Sequence, residues 1–86
     1  MALVLGAETG DTFLIGRRWI HVVRVDHRAR IILKRDDGEI FTVRRHLATE
    51  VFGGVLISTG PRLEKGGPRL VFDAPRMVRI QRCASH

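Results

Sequence analysis

Arginine is the residue whose chemistry stands out in this chain. Fifteen basic residues face nine acidic ones, for a net charge of +6, and thirteen of the fifteen are Arg. A guanidinium presents a planar fork that pairs with phosphate and stacks on bases, which the lysine ammonium does not. Such an excess fits an RNA or DNA partner, and it equally fits a plain solvated basic surface. The stretch Arg69–Arg82, RLVFDAPRMVRIQR, concentrates the signal. Strand alternation there puts Val78, Ile80 and Arg82 on one side and Met77, Arg79 and Gln81 on the other. A cation therefore stands where the apolar face runs out, with Arg76 and Arg79 beside it. Arg44-Arg45-His46 forms a second basic cluster, which also reads as an exposed hairpin end.

Other chemistries find little support. His21, His27, His46 and His86 lack zinc-type spacing, and the single Cys83 cannot complete a usual structural site. Cys83 has no evident orienting acid or oxyanion hole, so it reads as a buried or half-buried thiol. Glycines 53, 54, 60, 66 and 67 match neither a P-loop nor a dinucleotide fingerprint. Trp19 is expected to anchor the core of a chain with only five aromatic residues. No catalytic constellation, cofactor or metal is expected, and the chain reads as a non-enzyme.

The elements that must position the arginines are strands. Val and Ile are abundant and Ala is scarce, which favours an all-β fold. Leu3–Leu5 and Thr12–Ile15 are short strands separated by a Glu8–Asp11 turn. Trp19–Asp26 carries apolar residues on both faces, the pattern of a central strand covered on both sides. Ile31–Leu33 and Ile40–Val43 flank Asp36-Asp37-Gly38 and predict a hairpin. His46–Phe52 has Leu47 and Val51 four residues apart, a spacing that fits about two turns of helix stopped by Gly53-Gly54. Val55–Ser58 is a further strand, and 59–68 is rich in turn residues. Asp73-Ala74-Pro75 is a corner, because Pro75 has no N–H for a ladder and biases Ala74 away from helix.

Eighty-six residues make one domain. A core this small is thin, which makes a homodimer a physical expectation. The lone cysteine fits a reducing compartment. The opening residues lack the basic flank and long apolar run of a signal peptide. No stretch approaches membrane-spanning length. A cytoplasmic location without membrane attachment is expected.

LVLGAETGDTFLIG at Leu3–Gly16 resembles the opening of the carbon storage regulator family: a short aliphatic strand, a Gly-and-acid turn, then a strand ending in Ile-Gly. WIHVVRVD is similar to that family's third strand. Arg69–Arg82 is similar to its last two strands, with Ala74-Pro75 at the corner and Arg82 closing the final strand. The resemblance implies a small homodimer of intertwined β-strands that binds messenger or small regulatory RNA at single-stranded GGA sites and controls translation or message stability. It implies two equivalent sites, each built from the first strand of one subunit and the last strand of the other. By position these fall on Leu5, Gly6, Ala7 and Glu8, and on Arg76, Val78, Ile80, Gln81 and Arg82, while Arg79, like Arg76, reads equally as a phosphate contact or a solvated face. Arg82 matches the family's key arginine.

Three departures accompany the likeness. Ala7-Glu8 stands where the family has basic residues, and Arg44 and Arg45 are candidates to replace that charge. Residues 27–68 occupy the place of a tight connection, as an insertion bearing a hairpin between core segments 1–26 and 69–83. The family's C-terminal helix has no counterpart after Arg82, and the insertion is expected to cover the core instead. The alternative reading is a protein-interaction module on the same β-scaffold that has lost its RNA groove and docks a protein partner or antagonist.

Overall fold

A computed structural model describes residues 2–26, 30–45, 47–60 and 68–83. They form nine strands: β1 (Ala2–Gly6), β2 (Thr12–Ile15), β3 (Arg18–Asp26), β4 (Arg30–Arg35), β5 (Ile40–Val43), β6 (Thr49–Phe52), β7 (Val55–Thr59), β8 (Arg69–Asp73) and β9 (Ile80–Cys83). A four-stranded sheet runs β1-β8-β7-β6 and a five-stranded sheet runs β5-β4-β3-β2-β9. Neighbouring strands in both are antiparallel.

The chain order explains how the sheets close. β2 to β5 form one meander and β6 to β8 another. Each is then completed by a strand from the opposite end of the chain. β1 pairs with β8 in the register Leu3↔Phe72, and β9 pairs with β2 in the register Phe13↔Arg82. The radius of gyration, 11.7 Å, matches the value of about 12 Å expected for one compact domain of this length. One copy of the chain thus builds both sheets and the core between them. Residues 27–68, which the resemblance treats as inserted, hold β4 to β7 and contribute to both sheets.

Alternation fills that core. Phe13, Ile15, Ile20, Val22, Ile31, Leu33 and Val43 point inward from the five-stranded sheet; Val51, Val55, Ile57, Leu70 and Phe72 point inward from the other. Phe13 and Phe72 meet across the sheets with ring centroids 5.5 Å apart and planes tilted by 54°, a favoured aromatic geometry.

The Asp-Gly hairpin forms as its sequence predicts, with Lys34 opposite Ile40 and Gly38 at φ 93°, a conformation that suits glycine. Its two carboxylates tie it down. Asp36 accepts from Arg18 Nη2 at 2.5 Å and from the Trp19 N–H at 3.3 Å. Asp37 accepts from Arg35 Nη2 at 2.7 Å and from the Glu39 N–H at 3.0 Å. Arg35 also donates to the Val51 carbonyl at 2.6 Å, and Arg18 and Arg35 lie over the Phe52 ring at 4.6 and 5.7 Å. The hairpin is thereby clamped to β6 in the opposite sheet.

Three expectations are corrected. The helix read over 46–52 is strand β6 in its described part. Val51 is buried while Leu47 is exposed, so the four-residue spacing joins residues with different surroundings. Gly53-Gly54 is a two-residue hairpin loop between Phe52 and Val55, with Gly54 at φ 80°. Trp19 is not a core anchor: it is 40% exposed. It lies on the outer pleat of β3, opposite Leu14, while Ile20 and Val22 take the inner one. β3 is central in its sheet yet covered on one face only, and a bulge at Val23 leaves that side chain exposed as well. The turn-rich stretch 61–67 lies outside the described residues.

Removing Phe72's ring leaves a cavity where the sheets meet. Phe72→Ala is expected to cost about 3–5 kcal/mol, read from urea unfolding midpoints at unchanged slope. A second outcome concerns acid. Hydrogen bonds from Arg18 hold Asp36 below its ordinary 3.8, and those from Arg35 and the Glu39 amide hold Asp37 at about 2. Both carboxyls are more acidic folded than unfolded, so their contribution is complete above the unfolded value and fades as pH falls from about 4 towards about 2. Thermal melts should decline over that window, and Asp37→Asn should flatten the decline.

Candidate nucleic-acid interface

The first and last strands belong to different sheets, and no ladder joins them. They flank an open seam along one side of the molecule. At one end of it, Arg82 points inward from β9, where its register partner is Phe13, and its Nη2 donates to the Gly6 carbonyl on β1. The guanidinium also lies 5.5 Å from the centre of the Phe13 ring and 3.9 Å from Asp11 Oδ2. Asp11 in turn accepts from the Glu8 N–H at 2.9 Å, holding the turn that carries the chain from β1 into β2. A β-carbon added at Gly6 would lie 3.6 Å from Arg82 Nη2, an ordinary contact.

Further along, Ala2 and Leu3 of β1 face Ala74, Pro75, Arg76, Val78 and Ile80 across a cleft of about 150 Å³. Pro75 makes the corner as its sequence predicts. Its carbonyl accepts from the Val78 N–H at 3.0 Å, and the Arg79 carbonyl accepts from the Gly16 N–H at 2.8 Å. Arg76 and Met77 form a turn, so the strand alternation expected from Met77 onward begins only with β9 at Ile80. Val78 and Ile80 are half-buried against the core, whereas Met77, Arg79, Gln81 and Arg82 are exposed.

The structure therefore brings together Gly6 and Arg82 directly, with Arg76, Val78 and Ile80 along the same seam; Leu5, half-buried, packs on the core from β1. Gln81 is directed to the other face of β9, in register with Leu14. Arg44 and Arg45 are exposed but lie elsewhere. They follow β5, the edge strand farthest from β9, about 19 Å away at the usual strand spacing. Their backbone bridges link Arg44 to Leu47 and Arg45 to Thr59. They do not supply charge to the Gly6–Arg82 end of the seam. Ala7 is buried and donates its N–H to the Pro68 carbonyl at 3.0 Å, while Glu8 is exposed.

Charge is unevenly committed. Arg18, Arg30, Arg35 and Arg82 each sit within 4 Å of a carboxylate. Among the described residues, Arg17, Arg24, Arg44, Arg45, Arg76 and Arg79 are exposed and form no ion pair. Exposed and unneutralised, these are the arginines available to a phosphate. Among the described residues no group of three or more His, Cys, Asp or Glu is placed to hold a metal ion, and no helix is long and apolar enough to cross a membrane.

Sequence reasoning missed Arg82's partners Asp11 and Phe13. The alternation that turns Arg82 inward was readable, but the ladder joining residues 13 and 82 is too distant in sequence to be. It also missed a recess around Trp19, because that ring was assigned to the core.

No family model, curated protein or solved structure matches this chain.

Arg82 stitches the two ends of the chain together. Arg82→Ala should cost about 1 kcal/mol, the scale of one net hydrogen bond, and lower Tm by about 4–8 °C. Arg79→Ala, whose side chain is exposed and forms no ion pair, should leave Tm unchanged in the same calorimetric comparison.

Proposed function

We propose that this protein binds single-stranded RNA at GGA-type sites along the β1–β9 seam and so regulates translation or message stability, as the resemblance to carbon storage regulators implies. The observation that carries this reading is the meeting of Gly6 and Arg82, which joins the opening strand to the closing one. A strand edge offers N–H and C=O groups to splayed bases, and guanidinium groups supply charge and stacking planes. Arg76 and Arg79 add exposed cations beside the cleft, with Val78 and Ile80 as its apolar lining. In this reading one chain supplies both halves of a site that the family assembles from two subunits. The protein acts by binding and not by catalysis, in a reducing cytoplasm where Cys83 remains a thiol.

A homodimer is a competing use of the same edge, because a strand added to β1 would cover the N–H and C=O groups that the RNA reading needs. β1 is an edge strand with the uncharged sequence ALVLG, and Leu3 and Val4 are 39% and 47% exposed. An apolar open edge of this kind invites a further strand. The same observation favours the second reading, a protein-interaction module that docks a partner along β1.

Gel shift separates the two. A GGA-loop hairpin RNA should bind, and a hairpin with the loop changed to CCA should bind at least ten-fold more weakly. Arg76→Glu with Arg79→Glu should abolish the difference and reduce the slope of log affinity against log salt by about 2. Arg82→Lys keeps the charge but not the fork, and should lose loop preference while remaining folded by circular dichroism. Equal binding of both RNAs by all variants would remove the seam from RNA recognition and leave the docking reading.

A further inference from the structure

The outer face of the five-stranded sheet carries a second set of residues that the seam does not use. Trp19 projects from β3, in register with Leu14 on β2. With Thr12, His21, Lys34 and Cys83 they line a recess of about 430 Å³ with no carboxylate among the described residues. The Thr12 hydroxyl and His21 Nδ1 are 2.9 Å apart, which fixes the imidazole and leaves Nε2 as its other hydrogen-bonding atom.

Two residues along β4 from Lys34, the same face continues into a second recess of about 260 Å³, lined by Arg24, Asp26, Arg30, Ile32, Thr42 and Arg44. Among the described residues the two recesses together present four cations, Lys34, Arg24, Arg30 and Arg44, against one carboxylate, Asp26. Asp26 is paired with Arg30 at 2.6 Å, and the buried Arg30 Nε has no hydrogen-bond partner. Lys34, Arg24 and Arg44 form no ion pair among the described residues.

We infer that this face is a base-stacking surface for single-stranded nucleic acid, with Trp19 as the platform and Lys34, Arg24 and Arg44 as phosphate contacts. The chemistry is that of a sheet on which an aromatic ring takes a base while a flanking row of cations tracks the backbone. A 40% exposed indole beside unneutralised cations suits an anionic polymer with flat bases. An apolar protein surface would leave those cations desolvated and unpaired. The face shares its class of partner with the seam but none of its residues, so either assignment can fail alone.

Trp19 is the only tryptophan, and the chain has no tyrosine, so its emission reports this site directly. The full chain is titrated with a fluorescein-labelled twelve-nucleotide RNA lacking GGA, following label anisotropy and indole emission together. The expected result is saturable quenching that tracks the anisotropy and weakens steeply with salt. Trp19→Ala should bind about ten-fold more weakly or worse, Trp19→Phe should recover most of the affinity, and Lys34→Glu with Arg24→Glu should abolish binding. Arg76→Glu with Arg79→Glu should leave the quenching intact, which separates this face from the seam. Binding without quenching, undiminished binding by Trp19→Ala, equal quenching by duplex RNA, or no binding would each overturn the proposal. So would an emission change that depends on protein concentration alone, which would mark the face as a contact between copies.

Discussion

The fold depends on an exchange of chain ends. β2–β5 and β6–β8 are local meanders, but neither sheet is complete until a strand arrives from the far terminus. β1 must leave the five-stranded side to reach β8, and β9 must leave the four-stranded side to reach β2. Two packed sheets lie about 10 Å apart, so the crossings run through a space that tolerates little bulk. Ala7 and Ala74 occupy them, buried to 1% and 9% exposure. Phe13 and Phe72, on the strands that receive the two termini, fill the gap between. Pairings of this sequence separation carry a large loop-closure cost before they return any contact, so the buried rings and the Arg82–Gly6 link stabilise the arrangement where it is entropically weakest.

The acidic residues follow the same logic. Asp36 and Asp37 hold Arg18 and Arg35 against Phe52, and Asp11 faces Arg82 where the two ends meet. These pairs act on the backbone, through the Trp19, Glu39 and Glu8 amides and the Val51 and Gly6 carbonyls, as much as on each other. An exposed ion pair is worth little in itself; here the carboxylates position turns and an inter-sheet clamp. Neutralisation is therefore concentrated where the fold needs it, and the arginines outside it keep their charge for the surface.

Much of this was legible locally. Asp37-Gly38 between two aliphatic runs specified the β4–β5 hairpin, and Pro75 specified the corner after β8. The alternation of Val78, Ile80 and Arg82 gave the inward side of the closing segment. What failed was any inference that required knowing which strand lay opposite. Leu47 and Val51 suggest a helix only while the Phe52–Val55 hairpin is unknown. Trp19 belongs inside only if both faces of β3 are covered, and coverage is a property of the other sheet. Residues 27–68 read as an insertion in the sequence, yet Ile31, Leu33, Val43, Val51, Val55 and Ile57 are all buried. The site suffered in the same way: Arg82 was nameable, whereas Asp11 and Phe13 became its partners only through the β2–β9 ladder.

That ladder also connects the two surfaces. In the observed register Arg82 and Ile80 face inward to the seam, while Gln81 and Cys83 face outward, Cys83 into the Trp19 recess. A slip of one residue would invert every side chain of β9. Arg82 would then leave Gly6 and Phe13 for the outer face, and a glutamine would take its place at the seam. Neither surface could be retained by adjusting the other, because both are read from opposite pleats of the same four-residue strand. The register is held by the inward pair Ile15↔Ile80 and by Arg82 over the Phe13 ring. The guanidinium is therefore a device for strand alignment before it is a candidate ligand contact, and any RNA that engages it meets a group the fold has already oriented.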